Sequence, residues 1–379
     1  MPEVYEFFAG GGMVRAGLGD AWRCVFANDI DPKKAETYRA NWGDGAELHV
    51  GDIHGIEVAR LPGVADLMWG SFPCQDLSLA GAGAGLAGQR SGAFHGFWRL
   101  VDGLIGEGRA PRIVAVENVC GTLTSRGGAD FGVICRAFVD SGYRVGALVI
   151  NADLFVPQSR PRLFVIGVRE DADWRMADAG GPEAPFHTPA LVRAVAGLPQ
   201  SLRERMAWWR VAPPSDPVAP LVELIEEVRE PALWHSQART KAILDLMAPS
   251  HLEQVRAALA KPQRTVGAVY RRTRPDGRGG RIQRAEVRFD GRAGCLRTPA
   301  GGSSRQVLMV VEQQRVRTRL MTPRETARLM GLGDDFVLPR SATDAYHVTG
   351  DGVAVPVVRH LARALFEPLL KARLRLKAA

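Results

Sequence analysis

Met68-Trp-Gly-Ser-Phe-Pro-Cys-Gln-Asp-Leu-Ser78 begins on the apolar end of a short run, residues 65–69, and continues into Pro73-Cys74-Gln75. The run reads as a buried strand, and a thiol just beyond it lies at the carboxyl lip where an open α/β sheet gathers its reactive groups. Two further strand ends are composed in the same way. Phe8-Ala-Gly-Gly-Gly12 follows a strand predicted over residues 3–8, and Glu117-Asn118-Val119 follows Ile113-Val-Ala-Val116.

Around these three points the sequence alternates between strand and helix patterns. A strand over residues 22–27 ends at Asn28-Asp29, and Asp31-Pro32 starts a helix with Asp as N-cap and Pro in the first position. Helices are predicted over residues 94–105 and 131–140, and strands over 143–150 and 162–168. This alternation predicts an α/β fold with a doubly wound, mostly parallel sheet. Residues 177–262 then turn proline-rich, with short helical stretches at 221–229 and 240–246, and residues 264–311 read as β-rich. Thr322-Pro-Arg-Glu325 has the form of a capping box, and residues 351–370 return to a helix-like pattern that fits back on the first domain. The expected organisation is a catalytic domain of residues 1–177 and 338–379 with a second, smaller domain of residues 178–337.

Composition agrees with two domains, or one with a large insertion, since 379 residues exceed what one core usually holds. No apolar run nears the roughly 20 residues of a membrane helix, and the N-terminus lacks a signal peptide's regions. The expectation is a soluble, cytoplasmic protein with no membrane partner. Lys and Arg outnumber Asp and Glu by 49 to 41, and the surplus gathers between Arg264 and Arg328, which points to a polyanion. Arginine in place of lysine favours planar, bidentate contacts to phosphate or guanine edges, although a solvated basic face has the same composition. The five cysteines contain no C-x-x-C pair, so neither a disulfide framework nor a metal site is expected. Cys24, Cys120, Cys135 and Cys295 read as small core hydrophobes.

The candidate chemistry rests on four pieces. The glycine turn alone fits a tight strand-to-helix connection as well as a nucleotide site. Asp29 adds an acceptor for ribose hydroxyls, and Asp52, before Ile53, one for an adenine amino group. No Walker lysine is present, which argues against ATP. Cys74 sits between Pro73 and Gln75, before a loop, residues 81–92, of small residues with Arg90; such a loop is suited to closing over a substrate. Gln75 and Ser78 are placed to contact that substrate or its phosphate. Glu117 is a carboxylate at a buried strand end, either paired with Arg160 or Arg162 or acting as an acid toward a heterocycle nitrogen. Arg160 and Arg162 of Gln158-Ser-Arg-Pro-Arg162 can reach a carbonyl oxygen or a phosphate from the mouth of the same sheet.

In this order the residues resemble the DNA (cytosine-5)-methyltransferase family. Phe8-Ala-Gly-Gly-Gly12 is similar to its cofactor turn, Asn28-Asp29-Ile30-Asp31 to its ribose-binding strand end and Gly70-Ser-Phe-Pro-Cys-Gln75 to its nucleophile motif. Glu117-Asn118-Val119, Gln158-x-Arg160-x-Arg162, residues 319–331 and Gly350-Asp-Gly-Val-Ala-Val-Pro356 resemble its later motifs. The resemblance implies a Rossmann-like fold and S-adenosylmethionine bound by Phe8, Ala9, Gly10, Gly12, Asp29, Ile30, Asp52, Ile53, Pro73, Asp351 and Val353. It implies catalysis by Cys74, Gln75, Glu117, Arg160 and Arg162, and residues 178–337 become a target-recognition domain. The DNA contacts expected are Ser78, Arg90, Arg271, Arg272, Arg274, Arg284, Arg297, Ser303, Ser304 and Arg305, on a G/C-rich duplex. One departure is Asp351-Gly352, where the family usually carries Asn followed by Ser or Ala. The setting implied is a bacterial, nucleoid-associated monomer, with a cognate restriction endonuclease as companion in a restriction–modification pair. Alternatives are an RNA cytosine methyltransferase and an inactive sequence-specific DNA binder, with a nicotinamide dehydrogenase a distant third.

Overall fold

The computed structural model describes residues 1–73, 92–275, 280–299 and 305–371. The chain divides into two compact units, one of Met1–Asn151, Pro161–Ser215 and Val353–Ala379, the other of Ala152–Arg160 and Asp216–Gly352.

The first unit is built on β1 (Glu3–Phe7), β2 (Arg23–Asp29), β3 (Leu48–Val50), β4 (Leu67–Gly70), β5 (Ile113–Val119), β6 (Tyr143–Asn151), β7 (Pro161–Arg169) and β8 (Met206–Ala207). They form one sheet in the order β3-β2-β1-β4-β5-β7-β6-β8, and β7 alone runs antiparallel to its neighbours. The chain winds outward from β1 to β3, then returns to β4 on the other side. That reversal opens a crevice at the carboxyl ends of β1 and β4, where open α/β sheets bind ligands. β4 is wholly buried and β5 nearly so, because helices cover both faces. On one face α3 (Gly92–Gly106) and α4 (Ala129–Asp140) bring Phe97 to 5.4 Å from Phe7 and pack Trp98 on Phe138 at 4.6 Å. On the other lie α1 (Met13–Leu18) and the helix Val355–Leu361, whose continuation sets Phe366 against Trp69. Helix α2 (Pro32–Trp42) starts where the sequence places it, with Asp31 Oδ1 accepting from Lys33 N at 2.9 Å. No helix among the described residues is long and apolar enough to cross a membrane.

The second unit carries an antiparallel sheet in the order β10-β9-β11-β12, from β9 (Thr265–Pro275), β10 (Arg281–Arg288), β11 (Val307–Glu312) and β12 (Arg315–Leu320). Alternation on β10 turns Ala285 and Val287 inward, into a core with Val269, Met309, Ile243 and Val255. The capping box at Thr322 is formed, with Glu325 N donating to Thr322 Oγ1 at 3.2 Å and Thr322 N to Glu325 Oε2 at 2.8 Å.

Four local expectations need revision. The division falls at Asp216 and Gly352 rather than at 178 and 337. Residues to Ser215 stay with the first unit because β8 pairs with β6 and the buried Trp209 donates to Ile166 O at 3.0 Å. Residues 338–352 stay with the second because the helix Ala342–Asp351 joins its Thr349 to Thr326 at 3.1 Å. Glu117 and Asn118 lie inside β5, since the ladder with β7 runs on to Val119 opposite Arg162. The helix at Leu221 stops at Leu224, and helices Pro189–Ala196 and Pro249–Leu259 had no clear sequence signal. Of the four structural cysteines only Cys135 is buried; Cys24, Cys120 and Cys295 are half-buried at polar neighbours.

Candidate active site

Three adjacent strand ends of the first unit build a cradle. Glu6, fully buried near the end of β1, accepts from Val14 N at 3.2 Å and so caps α1, whose own N-cap is the side-chain-less Gly12. Burial pushes the Glu6 carboxyl up to about 8, and Oε2 takes no hydrogen bond among the described residues. The chain then turns at Phe8, with φ of 58°, and closes Gly12 N on Ala9 O at 2.8 Å. Asp29 ends β2 and accepts from Gly10 N and from Asp31 N, both at 2.8 Å. Each of its oxygens keeps one lone pair, which is what remains for a ribose hydroxyl. Burial raises the Asp29 carboxyl above its ordinary range.

Asn28 donates to His49 O at 3.1 Å and Gly51 O at 2.9 Å, which fixes the end of β3. Asp52 emerges there, exposed, and caps the short turn Ile53–Gly55 through His54 N at 2.9 Å. Ile53 is buried, whereas Ile30 is 65% exposed, an apolar surface beside Asp29. The cradle fits an adenosyl group with an amino-acid tail. Gly11 N–H meets no acceptor among the described residues, and a Cβ at Gly10 would touch nothing within 4 Å.

The strand exit after β4 is held from β5. Asn118 Nδ2 donates to Phe72 O at 3.3 Å, while Asn118 Oδ1 accepts from Val119 N at 2.8 Å and from Thr122 Oγ1 at 3.4 Å. Phe72 is buried against Phe94, and Pro73 emerges exposed. Cys74, Gln75, Ser78 and Arg90 lie outside the described residues, as do Ser303 and Ser304. Glu117, 6% exposed, faces Arg162, whose Nε lies 3.0 Å from Glu117 Oε1. Arg162 stands opposite Val119, two residues from Glu117 on the same face of the pleat, so the pair spans one diagonal of the ladder.

The two arginines of Gln158-x-Arg160-x-Arg162 part company. Arg162 belongs to the first unit and Arg160 to the second. Arg160 is 2% exposed and donates to Leu296 O at 2.9 Å, Gly350 O at 2.8 Å and Gly352 O at 2.6 Å. Burial leaves it no access to a phosphate; it ties residues 350–352 to the second unit. Gln158 does likewise, bonding Leu329 O at 2.7 Å and Leu296 N at 3.0 Å. Asp351 is exposed at the end of its helix, and Val353 is buried in the first unit. Glu6 was not singled out by sequence reasoning, and Asn118 and Gln158 were quoted within motifs without a role of their own. The signal available was a polar residue inside an otherwise apolar strand for the first two.

Residues 3–367 match the family described as C-5 cytosine-specific DNA methylase. The chain belongs to that family. It is a DNA (cytosine-5)-methyltransferase. The Type II methyltransferase M.NlaX of Neisseria lactamica is 27% identical over 96% of each chain. M.HpaII of Haemophilus parainfluenzae is 25% identical over 96% of this chain and 89% of its own. In fold the chain is similar to the solved S. pombe Dnmt2 methyltransferase, with a TM-score of 0.63 at 17% identity over 97% of this chain and 99% of that one.

On the methylase's second unit the β9–β10 ladder sorts the arginines. Arg272 pairs with Arg284, Arg274 with Ile282 and Tyr270 with Glu286, so these six share one face. Glu286 Oε1 accepts from Arg274 Nε at 2.6 Å, and its Oε2 lies 3.5 Å from Arg272 Nε. The hydrogen bond from Arg274 holds the Glu286 carboxyl below its ordinary range. Arg271 is opposite the buried Ala285 and falls on the other face, half-buried. Arg297 is exposed, and Arg305 bonds Thr343 at 3.1 Å while lying over the Tyr346 ring.

Proposed function

We propose that the methylase transfers a methyl group to carbon 5 of a cytosine everted from duplex DNA, within a G/C-rich site. The observation that carries this reading is the pair Glu117 and Arg162, 3.0 Å apart beside the Asn118-tethered exit toward Cys74. A carboxyl and a guanidinium fixed side by side match one edge of cytosine. Glu117 meets ring nitrogen 3 and the amino group, and Arg162 meets the carbonyl oxygen at position 2.

S-adenosylmethionine, when bound, supplies an electrophilic methyl carbon on its sulfonium. The Cys74 thiolate adds to carbon 6, and the electrons of the 5,6 double bond make carbon 5 nucleophilic. Glu117, in its protonated form, donates to nitrogen 3 as charge develops there, and Arg162 holds the carbonyl; both side chains are set in place before the charge appears. After methylation the carbon 5 proton leaves to a base, the sulfur–carbon 6 bond breaks and the double bond returns. A stacked base is out of reach of this chemistry, so eversion costs a few kcal/mol of unstacking.

The second unit supplies target recognition in this reading. Its support is the shared face of Arg272, Arg274 and Arg284, each suited to a bidentate guanine contact that discriminates by ~1–3 kcal/mol.

Incubation with duplex DNA carrying 5-fluorocytosine and labelled cofactor tests the proposal, with transfer RNA as the parallel arm. Fluorine takes the place of the carbon 5 proton and cannot leave as a cation, so the wild-type protein should form a denaturation-resistant adduct with DNA alone. Cys74→Ser should form none. Labelled DNA from Cys74→Ser, or an adduct with transfer RNA only, refutes it.

A further inference from the structure

Trp42 closes α2, and its indole Nε1 donates to Gly11 O at 3.1 Å. Space for the ring exists because residue 12 is glycine: a Cβ there would lie 2.1 Å from Nε1. The geometry points to Trp42 as a positioning residue for the cofactor turn, an inference that rests on the function proposed above.

The peptide joining Gly11 to Gly12 is held at both ends. Its carbonyl is bound by Trp42, and its N–H, that of Gly12, by Ala9 O at 2.8 Å. Gly10 N is bound by Asp29. What remains is the intervening peptide, whose Gly11 N–H meets no acceptor among the described residues. Three glycines in succession, two with φ of +56° and +80°, have wide backbone freedom. The indole removes that freedom before a ligand arrives, and a donor already aimed loses no affinity to ordering.

Trp42 is itself clamped. The Arg15 guanidinium lies over the Trp42 ring at 5.0 Å and the Tyr38 ring at 5.6 Å. Its Nη1 donates to Tyr38 Oη at 2.9 Å and to Glu47 Oε1 at 2.8 Å. Tyr38 in turn reaches Cys24 Sγ at 3.6 Å. The brace therefore joins α1, α2, β2 and the segment entering β3, and it meets the turn through one indole N–H.

Trp42→Phe keeps an aromatic ring and deletes that N–H. Calorimetric titration with S-adenosylmethionine should show Kd raised about tenfold, the loss of one buried hydrogen bond's worth of order. KM for cofactor should rise in step, while kcat at saturation, KM for DNA and the cofactor-free melting temperature stay near wild type. Trp42→His, whose Nε2–H occupies the same ring position, should recover part of the affinity. Unchanged Kd in Trp42→Phe overturns the inference. So does a variant in which kcat, both KM values and the cofactor-free melting temperature all fall together, since that marks a merely structural residue. Failure of the wild-type protein to bind S-adenosylmethionine sinks the proposed function instead, and the inference with it.

Discussion

Arg162 Nε sits 3.0 Å from Glu117 Oε1 across the antiparallel β5–β7 ladder, at the end of the sheet toward which β4 also points. The two side chains neutralise each other in a nearly buried place, where either alone is costly. A flat heterocycle with an amide-like edge can take up both groups at once, because it offers an acceptor to the guanidinium and a nitrogen to the carboxyl.

Removing either partner should therefore damage transfer more than binding. Glu117→Gln and Arg162→Lys are each expected to lower the single-turnover rate by ~10²–10³-fold, with cofactor Kd little changed. Rapid-quench assay of labelled methyl transfer measures this; a Glu117→Gln rate within about threefold of wild type defeats the assignment.

Glu6 predicts a pH dependence of stability. Its carboxyl is held at about 8 in the folded protein against an ordinary 4.5. The folded state thus keeps a proton that the unfolded chain releases, so stability declines as pH rises between those values. Glu6→Gln has no such proton to lose. Melting temperatures taken between about pH 5 and about pH 8.5 should fall more steeply for wild type than for the variant; parallel slopes would contradict the burial argument.

Arg319 and Glu325 form a fully buried ion pair, with Nη1 to Oε2 at 2.7 Å, inside the second unit. Glu325 also accepts from the backbone N–H groups of Thr322 and Glu226. Glu325→Ala should cost ~3–5 kcal/mol in urea unfolding, because a buried guanidinium and two N–H groups lose their acceptor together. The double variant Arg319→Met/Glu325→Leu should be less damaging than Glu325→Ala, and equal losses would count against a desolvation origin.

Glu286 holds the Nε edges of Arg272 and Arg274, whose side chains are about half exposed. Glu286→Gln should leave stability nearly unchanged, since exposed ion pairs contribute little. Mapping of 5-methylcytosine in DNA from a host expressing the variant should show a broader site at one or two positions. An identical site for variant and wild type removes this face from recognition.

Helix starts were legible in both units because their signals are local. Asp31-Pro32 in the first and Thr322-Pro-Arg-Glu325 in the second carry their caps within four residues, and both form. Apolar runs mark β4 and β5 because strands covered on both faces exclude water throughout. In the second unit residues 264–311 were read as β-rich without a strand order, since pairing partners on different strands are set by register and not by spacing along the chain.

Residue types, their order and the local starts of helices belong to the sequence of this protein, and they sufficed to place Phe8, Asp29 and Asp52 at strand ends and Glu117 beside β5's apolar run. Tertiary structure decided which partner each polar group received. Arg160 and Arg162 differ by two positions, yet one binds carbonyls up to 192 residues away and the other binds Glu117. Trp42 found Gly11 for the same reason. Hydrogen bonds need geometry to within a fraction of an ångström, and only the packed sheet brings such distant groups that close.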